Sequence, residues 1–481
     1  MYCIADQAGT GKSTIALTMV EEWRAEQCFD FFFSKDSTHK VQTLCVSLAK
    51  QIIGSCYGLK WDEYWAELSS VLSPSAQRVE TLWNKLVYEP LRTCGIHERH
   101  VVVVDALDEC DQETRAQLLK CLLNACISKS QPQTRLLFTT RKEDDIRSIL
   151  EMDAFHDAIL PRSLRDSEKS QEDIERYIDY RLKEAKVGVE MEQRRQLVGQ
   201  CDGLFIFASL ACDLLQSECA EDQSRRLRDM IEEFTSLDTL YHRTLSQAVK
   251  LSRYAQTHLM DILRVIVAAR EPLSISAIAA LLPMKVDTVN TIVKKLGSIL
   301  GSGDVDQSVY IFHATLKEFL LRKSWTERTD RLNGSEDMKE IPNQYYIDKE
   351  EGERAMLKGC LSNVMADGLI FNICSLETSF LMNEDVIDMD DRICRCITDA
   401  LQYSCLNWTS HLESISSDPE IMGWLEEFMN NQFLSWLEVL SVTKCVRFAS
   451  KMLGVLIEWM RVSFRVVWGG TRENKLTYFI E

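Results

Sequence analysis

The spacing of apolar residues changes near residue 141. Before it, short apolar runs alternate with helix-period stretches; after it, most apolar stripes repeat every three to four residues. A run from Met1 to Ala5 leads into a glycine-rich loop, and Ile15, Met19 and Trp23 then mark one side of a helix. Four valines follow His100 without interruption and end at Asp105, the pattern of a strand buried on both faces of a parallel sheet. Arg135 to Phe138 reads as a second buried strand. Beyond Arg141, Ile174, Tyr177, Ile178 and Leu182 predict a helix over 171–184, and the stretch from Cys201 to Ala208 opens another.

A compact unit is expected next. Helices are predicted at 259–267, around Ile275, Ile278, Leu281 and Leu282, and around Val289, Ile292, Val293 and Leu296. Two strands, Ile299 with Leu300 and Val309 to Phe312, face each other across a glycine turn at 301–304, and a helix through Leu316, Phe319 and Leu320 closes the unit. The chain turns polar over 326–353, with Pro342 and the run 333–337, and reads there as a linker. From Ala355 it is helical again, with stripes at Leu369, Ile373 and Leu376, at Leu401, Cys405, Trp408 and Leu412, and at Phe433, Trp436, Leu437 and Leu440. No period of about 30–45 residues marks a repeat array.

Composition narrows the chemistry. The 481 residues suffice for about three domains. Fifty-five Lys and Arg against 73 Asp and Glu leave a net charge of −18, which repels a phosphate backbone and argues against nucleic acid as a partner. The 17 cysteines are scattered singly on apolar stretches and read as free thiols of a reducing compartment. The most apolar long stretch, 452–468, is broken by Glu458, Arg461 and Arg465, so no membrane span is expected and the chain reads as soluble and cytoplasmic.

Three motifs point to phosphate chemistry. In the first, Gly9, Thr10, Gly11, Lys12, Ser13 and Thr14 lie between a strand and a helix, the order a phosphate-binding loop requires. The glycines let backbone N–H groups and the helix N-terminus face an anion, Lys12 reaches the β- and γ-phosphates, and the Ser13 hydroxyl ligates Mg²⁺. Asp6 stands where the loop pattern has its first glycine, and an acid at that place offers a polyanion no evident help. In the second, the valine strand ends in Asp105, Asp108 and Glu109. Asp105 is placed to hold the Mg²⁺ water shell, and Asp108 or Glu109 to orient or deprotonate a water. In the third, Arg141 follows two threonines at the tip of the next strand, where a guanidinium fork can sense a γ-phosphate.

Taken together, the segments 8–14, 104–110 and 138–141 resemble those of the NACHT family of signal-transducing (STAND-type) NTPases, closest to the fungal branch that contains heterokaryon-incompatibility proteins. The resemblance implies an α/β P-loop NTPase with a parallel sheet and flanking helices, followed by a helical lid, a winged helix and an all-α C-terminal region. The implied boundaries are 1–160 for the NTPase core, 161–258 for the lid, 259–325 for the winged helix, 326–353 for the linker and 354–481 for the helical domain. The helix–helix–hairpin–helix at 259–325 matches the family's winged helix; its seven basic and five acidic side chains between Arg270 and Lys323 make a poor DNA surface. His313 matches the family histidine that contacts the diphosphate of the resting nucleotide, and Phe205 occupies a place where relatives carry proline near the adenine. Relative to the family, the chain is expected to lack an N-terminal effector and a C-terminal repeat sensor.

The implied function is a nucleotide-dependent switch in innate-immunity or incompatibility-type signalling. It binds ATP or ADP with Mg²⁺ (GTP stays open), hydrolyses the triphosphate slowly, and assembles with itself or a protein partner when triphosphate-bound. The alternative is a degenerate, non-hydrolysing protein-interaction scaffold in which Asp6 has weakened the loop. A small-molecule kinase shares the loop but leaves the tandem acids and the helical half without a purpose.

Overall fold

A computed structural model describes residues 1–24, 27–33, 40–55, 78–93, 100–127, 134–156, 158–165, 168–184, 189–216, 236–249, 253–301, 308–328, 338–378, 380–416 and 418–468. The chain divides into two compact units, Met1–Phe234 and Thr235–Glu481.

The first unit is built on a five-stranded sheet: β1 (Tyr2–Ala5), β2 (Cys28–Phe32), β3 (His100–Asp105), β4 (Thr134–Thr140) and β5 (Leu160–Arg162), in the order β2-β3-β4-β1-β5. Every pairing is parallel. Parallel neighbours need crossovers, and the crossovers bury both faces of the sheet. That is why β3 carries valine at all four positions between His100 and Asp105 instead of alternating with polar residues. Val101 and Val103 pack with Ile4, Leu137 and the inner side of α1 (Lys12–Trp23), at Ala16 and Val20. Val102 and Val104 point to the opposite face, with Cys3 and Phe138, against α2 (Lys40–Gly54), a helix over 79–93, here α3, and α4 (Gln112–Ile127). The α/β class expected from the motifs is therefore the one observed. Two strands escaped the sequence reading. In β2, Asp30 interrupts the apolar run, and its backbone N–H and C=O are both held by the Gln51 side chain, at 2.9 and 2.8 Å. β5 has only three residues, one of them Pro161.

After β4 come α5 (Asp144–Leu150) and β5, and then the helices α6 (Glu168–Glu184), α7 (Met191–Cys201) and α8 (Phe205–Gln216). Ion pairs tie these three together. Arg194 reaches Glu175 and Asp179, both at 2.7 Å, and Arg181 reaches Asp213 at 2.5 Å.

In the second unit, α9 (Leu237–Val249) and α10 (Arg253–Ala268) precede β6 (Leu273–Ser274), α11 (Ile275–Leu281), α12 (Val286–Lys295), β7 (Leu300–Gly301), β8 (Ser308–Ile311) and α13 (Ala314–Leu320). The strands form a small antiparallel sheet in the order β6-β8-β7. The Ser274 hydroxyl caps α11 by accepting from the Ala277 N–H at 3.1 Å. The turn expected at 301–304 lies largely outside the described residues. So does the run 333–337, but the described ends of the polar stretch 326–353 are ordered elements. β9 (Ser324–Arg328) pairs antiparallel with β10 (Met338–Pro342), and Asp348 caps α14 (Lys349–Lys358).

The helical region contains α15 (Met389–Cys396), α16 (Asp399–Leu412), α17 (Pro419–Asn431), α18 (Phe433–Val442) and α19 (Ala449–Trp468). Its centre is aromatic: Trp408 lies 5.0 Å from Phe428 and 6.1 Å from Trp436, ring centre to ring centre. Leu369, Ile373 and Leu376, spaced like a helix, lie instead in a turn with positive φ at Asn372 and Ser375. The Glu438 carboxylate accepts the N–H groups of Asn372 and Ile373, at 3.0 and 3.1 Å, and supplies the acceptors a helix would otherwise give. No disulfide joins the described cysteines, and no helix among the described residues is long and apolar enough to cross a membrane.

Candidate functional site

The sheet order brings the three motifs to one end. β1, β4 and β3 are adjacent and parallel, so the loop after β1, the Thr-Thr-Arg tip of β4 and the acids after β3 all emerge at their carboxyl ends. Gly9 and Gly11 have φ of 91° and 89°, a left-handed conformation that a side chain would strain. α1 follows directly, with no side chain capping its N-terminus and no acid in its first turn, so its leading N–H groups are suited to an anion. Thr10 is buried and its hydroxyl donates to the Gln7 carbonyl at 3.1 Å, bracing the loop. Ser13 and Thr14 are exposed at the helix start.

Lys12 curls over the loop and donates to the carbonyls of Asp6 and Gln7, at 2.8 and 2.6 Å. Burial pushes its ammonium below the ordinary lysine value; Asp108 acts against that, Arg141 adds to it, and Asp6 and Asp105 again oppose it. Four of the residues singled out in the sequence thus share one electrostatic neighbourhood with Lys12.

The acids are held differently. Asp105 is 3% exposed and accepts a 2.5 Å hydrogen bond from the Thr139 hydroxyl, which itself accepts the Ala106 N–H at 2.9 Å. Register explains this meeting: Val104 pairs with Phe138, which sets Asp105 beside Thr139. Ala106 adopts φ 53°, and the turn Leu107–Glu109 then presents Asp108 back to β4. There the Asp108 carboxylate accepts the Arg141 N–H at 3.0 Å and faces the Arg141 Nε at 3.1 Å. Glu109 is half-buried in the same turn. Arg115, which the sequence reading did not single out, fixes that turn from below. It donates to the Asp108 carbonyl at 2.8 Å and forks onto Asp145 at 2.9 and 2.7 Å.

Asp6 has a role the sequence could not show. Its side chain is wholly buried and accepts from the Gln7 N–H at 2.9 Å, the Leu164 N–H at 2.7 Å, the Arg165 N–H at 2.9 Å and the Ser163 hydroxyl at 3.0 Å. Burial pushes this carboxyl up, but the donors of Arg165, Gln7, Leu164 and Ser163 outweigh it and hold the group below the usual aspartate range. The acid pins the phosphate loop to the segment after β5.

The α6–α8 helices reach the loop as well. The Ile206 N–H donates to the Gly9 carbonyl at 3.3 Å, and the Phe205 ring comes within 3.6 Å of the space a Cβ on Gly11 would fill. Phe205 also packs edge-on to Tyr177 at 6.1 Å. His313 belongs to the second unit. It caps α13, its Nδ1 lying 3.3 Å from the Thr315 N–H and 2.6 Å from the Thr315 hydroxyl, which in turn meets the Tyr241 hydroxyl at 2.8 Å. Among the described residues no cluster of three or more His, Cys, Asp or Glu forms a metal cage.

Residues 1–141 match a family model described as nephrocystin 3, N-terminal. No curated protein matches the chain. Among solved structures, the chain is similar to a Signal Transduction ATPase with Numerous Domains (STAND) protein with a tetratricopeptide repeat sensor from Pyrococcus horikoshii, at 13% identity and a TM-score of 0.42 over 100% of this chain. The chain spans 65% of that protein's length. It is also similar to the Thermotoga maritima RuvB Holliday junction branch migration motor, at 12% identity and a TM-score of 0.27, over 66% of this chain and 86% of that one.

Proposed function

We propose that the chain is a nucleotide-dependent signalling switch of the NACHT/STAND class. The observation that carries this reading is the convergence of an uncapped helix N-terminus, Lys12, Asp105, Asp108 and Arg141 at the carboxyl ends of three adjacent parallel strands. That set fits a nucleoside di- or triphosphate with Mg²⁺. Gly9 to Thr14 would hold the phosphates, with Lys12 leaving the loop carbonyls for the β- and γ-phosphates. Ser13 and Asp105 would hold Mg²⁺, which supplies charge neutralisation at the phosphate oxygens. Asp108, with Glu109 beside it, would orient or deprotonate the attacking water, and Arg141 would stabilise charge on the γ-phosphate.

The pairing of Asp108 with Arg141 suggests how the two states differ. Each group occupies the other, so engagement of Arg141 by a γ-phosphate would free the Asp108 carboxylate for water. A ligand shifts a conformational equilibrium only through contacts it makes in one state and not the other, and the γ-phosphate contact with Arg141 is such a contact. The strand and helix order from α10 to α13 supports a winged helix. The triphosphate form would then self-associate or engage a protein partner, and slow hydrolysis would reset it. Asp6 gave the scaffold alternative its footing, and the four donors that engage its carboxylate support the switch over it.

Sedimentation velocity on the chain with ADP or with a non-hydrolysable ATP analogue tests the switch. The expected result is a larger species only with the analogue; one unchanged species in both contradicts it.

A further inference from the structure

The stretch ahead of α15 turns large apolar side chains outward. Phe371, Phe380, Met382 and Ile387, with Leu434 of α18, are each at least 73% exposed. The backbone that carries them is held in place. Ile373 and Cys374 are buried, and Asn372 closes its turn on Leu376 in both directions, at 2.9 and 2.8 Å. Arg392 of α15 donates to the carbonyls of Cys374 and Ser375, at 3.3 and 2.8 Å, and reaches Glu377 and Asp388 at 2.8 and 2.9 Å. Two anchors lie on α18: Glu438 accepts the Asn372 N–H, and the Asn383 amide donates to the Ser441 hydroxyl at 3.2 Å. Glu438 and Ser441 stand one turn apart, so Phe371 and Met382, the neighbours of the two asparagines, flank the same turn of that helix. Leu434 continues that side one turn earlier. Soluble surfaces seldom gather large apolar side chains in this way unless something covers them.

The rim of this face has one sign. Residues 370–396 contain six acids and two arginines. Arg392 is occupied by Glu377 and Asp388, and Arg395 donates to the Asp391 carbonyl. Glu384, Asp385, Asp390 and Asp391 are exposed, and among the described residues none of the four has an ion-pair partner. Counting Glu438 of α18 together with Lys444 and Arg447 just beyond it leaves seven acids against four cations.

We propose that this face docks a basic amphipathic helix of a protein partner. Apolar residues three and four apart on such a helix would meet Phe371, Met382 and Leu434, and Lys or Arg at its margins would meet the four open carboxylates. A second copy using the same face would set acids against acids, and a nucleic acid or an anionic membrane would meet the same repulsion. The proposal does not depend on the nucleotide reading; where that reading holds, it gives the chemistry of the partner.

The test uses a fluorescein-labelled amphipathic peptide of Leu and Lys, titrated with the nucleotide-free full chain and followed by anisotropy. A Leu and Glu peptide of the same pattern is the control. Expected is saturable binding of the Leu and Lys peptide, at least about tenfold tighter than the control. Phe371→Ser with Met382→Ser, and separately Glu384→Lys with Asp385→Lys, should each weaken it by about tenfold or more. All four side chains are exposed, so both variants are expected to fold. Glu21→Lys with Glu22→Lys makes the same charge change on exposed positions of α1 and should leave affinity within about twofold. Equal weakening by the two charge variants would assign binding to net charge, and unchanged affinity in Phe371→Ser with Met382→Ser would remove the apolar face; either result overturns the site. So does a chain that dimerises without peptide and turns monomeric in that apolar variant, which gives the face to a second copy. Because no nucleotide is present, failure here is separable from failure of the switch.

Discussion

Asp108 grips Arg141 at two points, backbone N–H and guanidinium, across 33 residues of sequence. The acid proposed to handle water and the base proposed to read the γ-phosphate thus restrain each other. Asp108→Asn keeps the backbone contact but removes the charge and the basic oxygen. It should slow single-turnover ATP hydrolysis by about 10²–10⁴-fold while leaving ADP affinity within a few-fold. An unchanged rate would place the water-handling group elsewhere.

Thr139 is the second lever. Its hydroxyl bridges the Asp105 carboxylate and the Ala106 N–H inside the sheet. Thr139→Val keeps the volume and removes both bonds, leaving a buried acceptor and a donor without partners. Urea unfolding should show a loss of about 1–3 kcal/mol, and the Mg²⁺ dependence of nucleotide binding should weaken with it.

How much of this was legible in the chain? The strand of valines, the glycine loop and the Thr-Thr-Arg tip announce themselves, because each is a local pattern with a local cause. Asp6 does not. Its donors at 163–165 lie more than 150 residues away, so an acid in place of glycine looks like damage to an anion site when it is a tether. Arg115 was missed for the same reason, since a lone arginine in an amphipathic helix gives no sign that it forks onto Asp145. The triad Leu369, Ile373 and Leu376 erred the other way. Helical spacing was present, but Glu438 of α18 captured the backbone N–H groups and stabilised a turn.

The tether makes a prediction against the family pattern. Asp6→Gly restores the loop consensus but strands three N–H groups and a hydroxyl, so it should cost at least about 1–3 kcal/mol and bring no gain in nucleotide affinity. Its pH signature follows from sign. The folded carboxyl lies below the unfolded value of about 3.9, so its contribution is complete above about pH 5 and lost as pH falls through the folded pKa. Wild type should lose more stability than Asp6→Asn across that window in acid unfolding curves.

In the second unit, Glu353 is almost fully buried and accepts both Arg270 terminal nitrogens, at 2.9 and 2.8 Å, and the His411 ring at 2.6 Å. Burial holds the His411 pKa below its ordinary value despite that carboxylate. The unfolded chain then binds a proton that the folded chain resists, so stability declines as pH drops below about 6.5. Glu353→Ala should cost about 1–3 kcal/mol by denaturant titration, since it takes the shared carboxylate from the buried His411 ring and the half-buried Arg270, and should change the slope below pH 6.5.

The central claim is that Lys12 and its loop bind nucleotide. The most direct measurement is equilibrium binding of labelled ATP, GTP, ADP and GDP to the purified chain, with and without Mg²⁺, beside Lys12→Ala. The account predicts Mg²⁺-sensitive binding of a triphosphate and its diphosphate that Lys12→Ala abolishes, with the preferred pair identifying the base. A folded chain that binds none of the four, or binds them equally well without Lys12, contradicts it.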